Sequence, residues 1–431
     1  MKVLRTLTSV VFAMMAFAAT AQEGTWNGEL NVMGNKVPLV FNFSTNGCTI
    51  DSPSQGVNGI QAEKTVKDDG TIKVKVGMIG ATFEGKMTDG EIKGTFVQNG
   101  FPLPLTLKPG KLVVKRPQTP VPPFPYKEES VSFTNAQYTF NGTLTLPENY
   151  SKNTPVVLMV TGSGQQNRDE ELFSHKPFAV IADALARQGI ASLRYDDRGW
   201  GDKSVNFADF TTDDFRQDAA AAIPLLRKRF NKVGILGHSE GGTIAMMLAA
   251  EGKADFIVSL AGMAISGKET LIMQNRQAMS AIGLPKETVD SYCNSISKAL
   301  DEIASGKKAS EINIDDVPQA LKPITIKALQ QADTPYIRHF LTVDVGKLLP
   351  KIKCPVLALN GTKDTQVDCD ANTTRIEKGL ANCKHSIKKI DGVNHMFQHC
   401  NTGIVTEYQQ IEETISPEVL QVVEKWIKLN I

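Results

Sequence analysis

The chain has 431 residues, 41% of them hydrophobic, and a formal net charge of +1. That length can hold two domains with substantial cores, and the hydrophobic content is ordinary for a globular protein. The near-zero charge excludes the electrostatic footprint of a nucleic-acid or anionic-membrane binder.

Lys2 and Arg5 precede an apolar run from Val10 to Ala18, and Ala19, Thr20 and Ala21 supply small residues for cleavage before Gln22. Residues 1–21 therefore read as a secretory signal peptide, and the mature protein is expected to be exported to a periplasm or outside the cell. No cysteine follows the cleavage point to take a lipid, and no later apolar stretch is long enough to cross a bilayer, so membrane insertion is not expected.

Residues 22–115 form the next region, where short alternating runs such as 71–76 and 81–87 are separated by turns at Asp69-Gly70 and Asp89-Gly90. This predicts a small antiparallel all-β domain of about six to eight strands, a barrel or a sandwich. Trp26, Phe41, Phe43, Phe83 and Phe96 are assigned to its core rather than to an exposed carbohydrate platform. The proline-rich stretch in residues 116–128 reads as a stiff linker.

From residue 129 onwards strands and helices alternate. An apolar strand at 156–160 leads into the loop 161–169, whose Gly162 and Gly164 allow backbone amides to converge; Ser163 is the expected donor position for an oxyanion. No Lys-Ser/Thr follows, so a phosphate loop is discounted. Phe178, Ile181, Ala182 and Leu185 mark a helix closed by Gly189 before a strand at 190–195. Asp196, Asp197 and Arg198 at the end of that strand, with Arg168 and Asp169, are read as paired charges that lock loops. Trp200 is a candidate for a pocket wall. Thr211 or Thr212 caps the next helix, with Asp213 and Asp214 in its first turn, and Pro224 is expected to kink it.

The apolar run 232–236 then meets Gly237-His238-Ser239-Glu240-Gly241, followed by a helical stretch from Gly242 to Ala250. A strand that turns sharply into a helix lifts one side chain above the sheet, and small flanking residues let the backbone take the strained turn. Ser239 is that side chain, the candidate nucleophile, and the N–H of Glu240 is the candidate second oxyanion donor. A serine hydroxyl also needs a histidine base and a carboxylate to orient it. The strand 355–359 runs into Asp364, and the strand 386–390 runs into His395; these are the expected partners. Asp368 is the fallback acid. His175, His238, His339 and His385 are read as structural or solvated, with the side chain of His238 turned away, although His175 could line a pocket.

Between the strand 256–260 and the one at residue 355 lies a segment too long for a simple loop. Helical periodicity at 269–282, 286–303 and 314–331 predicts a cap inserted over the site at about 262–349, which would set substrate size. Met263, Met273 and Met279 are taken as core or cap packing, although an adaptable thioether surface would also suit acyl groups. A last helix opens at Ser416 and Pro417 and packs through Leu420, Val423, Trp426 and Ile427. Six cysteines permit disulfides, and Cys369, Cys383 and Cys400 flank the acid and histidine loops, where a bridge could brace them. No cysteine or histidine cluster has zinc spacing, and His395 with His399 lacks a companion glutamate, so no metal is expected.

Several motifs taken together, 162–169, 193–199, the elbow at 237–241, 354–364, 394–398 and the ending 412–420, resemble the α/β-hydrolase superfamily, specifically bacterial carboxylesterases of the EstD type. The resemblance covers roughly two thirds of the chain. It implies a doubly wound sheet with an inserted helical cap over 129–431, cofactor-free hydrolysis of carboxylic esters with short acyl groups, and a small-molecule or glycan-linked ester as substrate. The alternatives are a serine peptidase of the prolyl-aminopeptidase type, or a hydrolase-like scaffold whose β domain binds a polymer. Oligomeric state is not legible.

Overall fold

A computed structural model describes residues 23–32, 35–45, 47–53, 57–111, 115–281 and 283–431. The leader assigned to residues 1–21 lies outside them. Two compact units divide between Lys115 and Arg116.

In the first unit, among the described residues, eight strands close into an antiparallel barrel: β1 Gly24–Val32, β2 Asn35–Ser44, β3 Gly47–Ser52, β4 Val57–Val66, β5 Ile72–Val76, β6 Ala81–Thr88, β7 Glu91–Gln98 and β8 Phe101–Pro109. Closure comes where Trp26 and Asn27 of β1 pair with Pro109 and Lys108 of β8, which removes the open sheet edges. The β6–β7 hairpin turns through Asp89 (φ 54°) and Gly90 (φ 80°), as a two-residue turn with two positive φ angles requires. Trp26, Phe41, Phe43, Phe83 and Phe96 are all buried inside, so the aromatic residues fill a core.

The second unit carries an eight-stranded sheet, among the described residues: β9 Tyr126–Asn135, β10 Tyr138–Pro147, β11 Val156–Val160, β12 Ala191–Tyr195, β13 Val233–His238, β14 Phe256–Leu260, β15 Val356–Gly361 and β16 His385–Ile390. Their order is β16-β15-β14-β13-β11-β12-β10-β9. β10 runs antiparallel to β12 and β9, and the pairs from β12 to β16 are parallel. Strands buried on both faces need an apolar residue at every position, and 156–160 and 233–236 supply it. One face is covered by α1 (Pro177–Arg187) and the C-terminal helix Pro417–Asn430, through Phe178, Leu185, Val419 and Trp426. The other receives α2 (Thr212–Arg227) and α3 (Glu240–Ala250), through Ala219, Leu226, Ile244 and Leu248. α2 starts at Thr211 with a reciprocal capping box to Asp214 and continues past Pro224 to Arg227.

The cap follows β14. Its helices are α4 Gly267–Ala281, α5 Lys286–Ala304, α6 Lys322–Ala332 and α7 Pro335–Thr342, with a small core of its own around Tyr292, Ile296, Leu300 and Ile303. The expected helix over 314–331 is shorter at its start: Pro318 and Pro323 restrict α6 to Lys322–Ala332, and α7, capped by Thr334, is a separate element. α8 (Cys369–Gly379) and α9 (Val405–Tyr408) precede the C-terminal helix, α10 (Pro417–Asn430).

The proline-rich segment, expected as a stiff linker, belongs to the second unit, and its end at Tyr126 already opens β9. Arg116 donates to the carbonyls of Phe173, Gln409 and Ile411 at 2.8–2.9 Å, and Gln118 donates to Ile415 while accepting from the Thr414 and Ile415 amides. Its start is thus fastened to the second unit, because a guanidinium fork satisfies several loop carbonyls at once. All six cysteines carry free thiols, so no bridge joins the acid and histidine loops.

Candidate active site

Ser239 sits at φ 53°, ψ −120°, between the end of β13 and the start of α3. The glycines around it have a steric reason. A Cβ on Gly237 would lie 1.9 Å from the Gly241 carbonyl oxygen, and one on Gly241 would lie 2.0 Å from the Val160 oxygen. Only backbone without side chains fits through this crossing. Glu240 is the first residue of α3, so its amide belongs to the helix-terminal donors that lack a partner within the helix.

His395 and Asp364 meet although 31 residues separate them: Nδ1 of His395 lies 2.7 Å from Oδ2 of Asp364, and both side chains are buried. The other oxygen of Asp364 accepts from the amides of Gln366 and Val367 at 2.8 Å each, which fixes the carboxylate. The loop after β11 passes directly over the elbow, since a Cβ on Gly162 would be 3.2 Å from the Ser239 Cβ. Ser239, His395 and Ser163 line one cavity of about 320 Å³. The cap contributes Leu271, Gln274, Tyr336, Ile337 and Phe340 to its wall, and Met263 lines it as well.

The fallback acid Asp368 and the neighbouring Asp370 and His399 are placed elsewhere. Asp368 caps α8 by accepting from the Ala371 amide, Asp370 is paired with Lys389, and His399 is exposed beside Glu413. Trp200 is 47% exposed and does not line the cavity. The charges after β12 do lock loops. Asp196 holds Arg168, Arg198 pairs with Asp218 at 2.8 Å, and Asp197 accepts from the Thr161 hydroxyl and the Gln166 amide. Burial pushes the Asp197 carboxyl well above the usual carboxylate range.

His175 is buried away from the cavity, bonded to the Thr414 hydroxyl and the Tyr408 carbonyl. Burial, aided by the Arg116 guanidinium, lowers its pKa from 6.5 to about 4. The unfolded chain therefore takes up this proton more readily, so the stability His175 contributes is whole above about pH 6.5 and is lost as the pH falls to about 4. Urea titrations at pH 7.5 and 4.5 should show the acid-induced loss of stability reduced in His175→Gln by on the order of 2 kcal/mol. An equal loss in both proteins would refute this.

Three site residues escaped the sequence reading. His238 is not turned away: it is buried, lines the cavity, and lies 3.0 Å from Glu170 through Nδ1 and 2.9 Å from the His395 carbonyl through Nε2. Glu170 also accepts from the Gly162 amide at 2.8 Å. Glu240, considered only for its amide, has a buried carboxyl that accepts from the hydroxyls of Thr212 and Tyr336 at 2.6 Å each. Burial raises its pKa. Apart from Glu170 with Gly162, nothing local marks these pairs, because their members are 28 to 157 residues apart.

A family model, Hydrolase_4, described as serine aminopeptidase, S33, matches residues 174–399. Esterase EstD of Thermotoga maritima is 28% identical over 274 residues, covering 62% of this chain and 60% of EstD. The chain thus spans about three fifths of the length of that relative. Human serine hydrolase BPHL is 25% identical over 252 residues, covering 55% of this chain and 72% of BPHL. Among solved structures, Est1E from Butyrivibrio proteoclasticus is 15% identical with a TM-score of 0.44, covering 70% of this chain and 98% of that one. The strand order, the elbow and the family match agree, and this chain belongs to the α/β-hydrolase family of the serine aminopeptidase, S33 description.

Proposed function

We propose that the protein is an exported serine esterase that cleaves carboxylic esters with short acyl groups through Ser239, His395 and Asp364. The observation that carries this reading is the 2.7 Å His395–Asp364 bond at the wall of the cavity that Ser239 also lines. In the reaction, His395 Nε2 removes the Ser239 proton as Oγ attacks the ester carbonyl carbon. The amides of Ser163 and Glu240 receive the oxyanion. His395 then protonates the leaving alcohol oxygen, and water, deprotonated by His395, releases the acid from the acyl-enzyme. Asp364 keeps the His395 proton on Nδ1 and offsets the imidazolium charge.

An aminopeptidase needs an anion for the substrate ammonium. The carboxylate among the cavity-lining residues is Glu170, whose Oε1 is already engaged by Gly162 and His238. That favours an ester with a neutral acyl group, and a cavity of only about 320 Å³ with Leu271, Ile337 and Phe340 on its wall favours a short one. The aromatic filling of the barrel favours a structural role for that domain over polymer binding. The test is hydrolysis of p-nitrophenyl acetate, butyrate, octanoate and palmitate beside amino-acyl anilides, by protein starting at Gln22. Release should peak at acetate or butyrate; faster anilide cleavage would overturn the esterase reading.

A further inference from the structure

We propose that Glu170 and His238 form a buried ion pair that positions the base and the oxyanion loop together, so that both are set by one charge pair outside Ser239, His395 and Asp364. This rests on the esterase reading above for its kinetic consequence, but not for its geometry. Oε1 of Glu170 accepts from the Gly162 amide at 2.8 Å and faces Nδ1 of His238 at 3.0 Å. Nε2 of His238 faces the carbonyl oxygen of His395 at 2.9 Å. Both partners of the ring are oxygen acceptors, so both nitrogens must donate, and only the imidazolium does that. Burial works against this charge, yet the Glu170 carboxylate and the hydrogen bonds carry the His238 pKa above its ordinary value. The side chains of the pair are only 8% and 3% exposed, which leaves little water to replace a lost partner.

The chain of bonds has two consequences. It joins the loop that presents the Ser163 amide to the loop that carries His395, through a residue adjacent to Ser239. It also places a fixed positive charge beside the base, since the rings of His238 and His395 are 4.7 Å apart between centroids. The other titratable groups facing the two rings are Asp364, on Nδ1 of His395, and the Tyr408 hydroxyl near the His395 backbone. Neither is altered by the variants below.

Glu170→Gln and His238→Gln should lower kcat on p-nitrophenyl acetate on the order of 10- to 100-fold with KM within about twofold, the signature of misplaced rather than missing groups. Unchanged kcat, or a loss carried by a raised KM with kcat near wild type, overturns the proposal. Should either variant fail to fold, wild-type protein labelled with 15N-histidine, assigned by replacing the other histidines in turn, decides. Two protonated His238 ring nitrogens at pH 8 support the pair, and a neutral ring overturns it. If the wild-type protein cleaves no ester, the esterase reading fails, and the same spectrum still tests the pair.

Discussion

Ser239→Ala is expected to reduce ester turnover on the order of 10⁶-fold while leaving the thermal midpoint nearly unchanged. The nucleophile contributes its whole effect at one atom, and alanine tolerates the strained φ of 53° no worse than serine does. Asp364→Asn should lose about 10⁴-fold, because an amide at that place would present the wrong partner to Nδ1 and favour the wrong imidazole tautomer. Stopped-flow or steady-state release of p-nitrophenol measures both. Retained activity in Ser239→Ala would move the chemistry to another residue, and retained activity in Asp364→Asn would reduce the carboxylate to a packing role.

The second large effect is on folding. Gly237→Ala places a methyl group 1.9 Å from the Gly241 oxygen and 2.1 Å from its carbonyl carbon, so backbone, not a flexible side chain, must move. We expect a destabilisation of at least about 3 kcal/mol, together with loss of activity, because the displaced segment carries Ser239. Gly164→Ala is the comparison: nothing lies within 4 Å of its Cβ position, and only its φ of +94° penalises a side chain, by about 1 to 2 kcal/mol. Urea unfolding monitored in the second unit distinguishes the two. Equal effects would mean that the elbow is not the sterically closed crossing described above.

The turn at Ser239 and the meeting of Asp364 with His395 have a visible basis in the chain, because each residue stands at the end of a strand that announces itself. Buried parallel strands read as unbroken apolar runs, and the turn residues after them are the first polar positions, so Ser239, Asp364 and His395 fall at predictable offsets. The antiparallel β domain is legible for a related reason, alternation with a period of two punctuated by Asp-Gly turns, whereas barrel and sandwich share that pattern and only the pairing of β1 with β8 decides for the barrel. The cap is legible as an insertion from its length and helical periodicity, whereas the periodicity over 314–331 does not show that Pro318 and Pro323 delay the start of α6. His238 was misjudged for a deeper reason. An i, i+1 neighbour of an exposed strand-end side chain points away from it along an ideal strand, yet the elbow is not ideal strand, and its twist brings both side chains to the same cavity.

What the amino-acid order determined by itself was local and periodic: which segments become strands and helices, where the chain must turn without a side chain, and which residue types stand at the strand ends. Tertiary structure alone decided which distant charges meet. The selection of Glu170 for His238, Tyr336 for Glu240 and Arg116 for the carbonyls of residues 173, 409 and 411 depends on contacts between segments up to 295 residues apart. The physical reason is that periodicity follows from short-range sterics and from burying one face, which each segment carries in itself. A buried polar group instead takes whatever partner the completed fold brings within about 3 Å, and no segment carries that information alone.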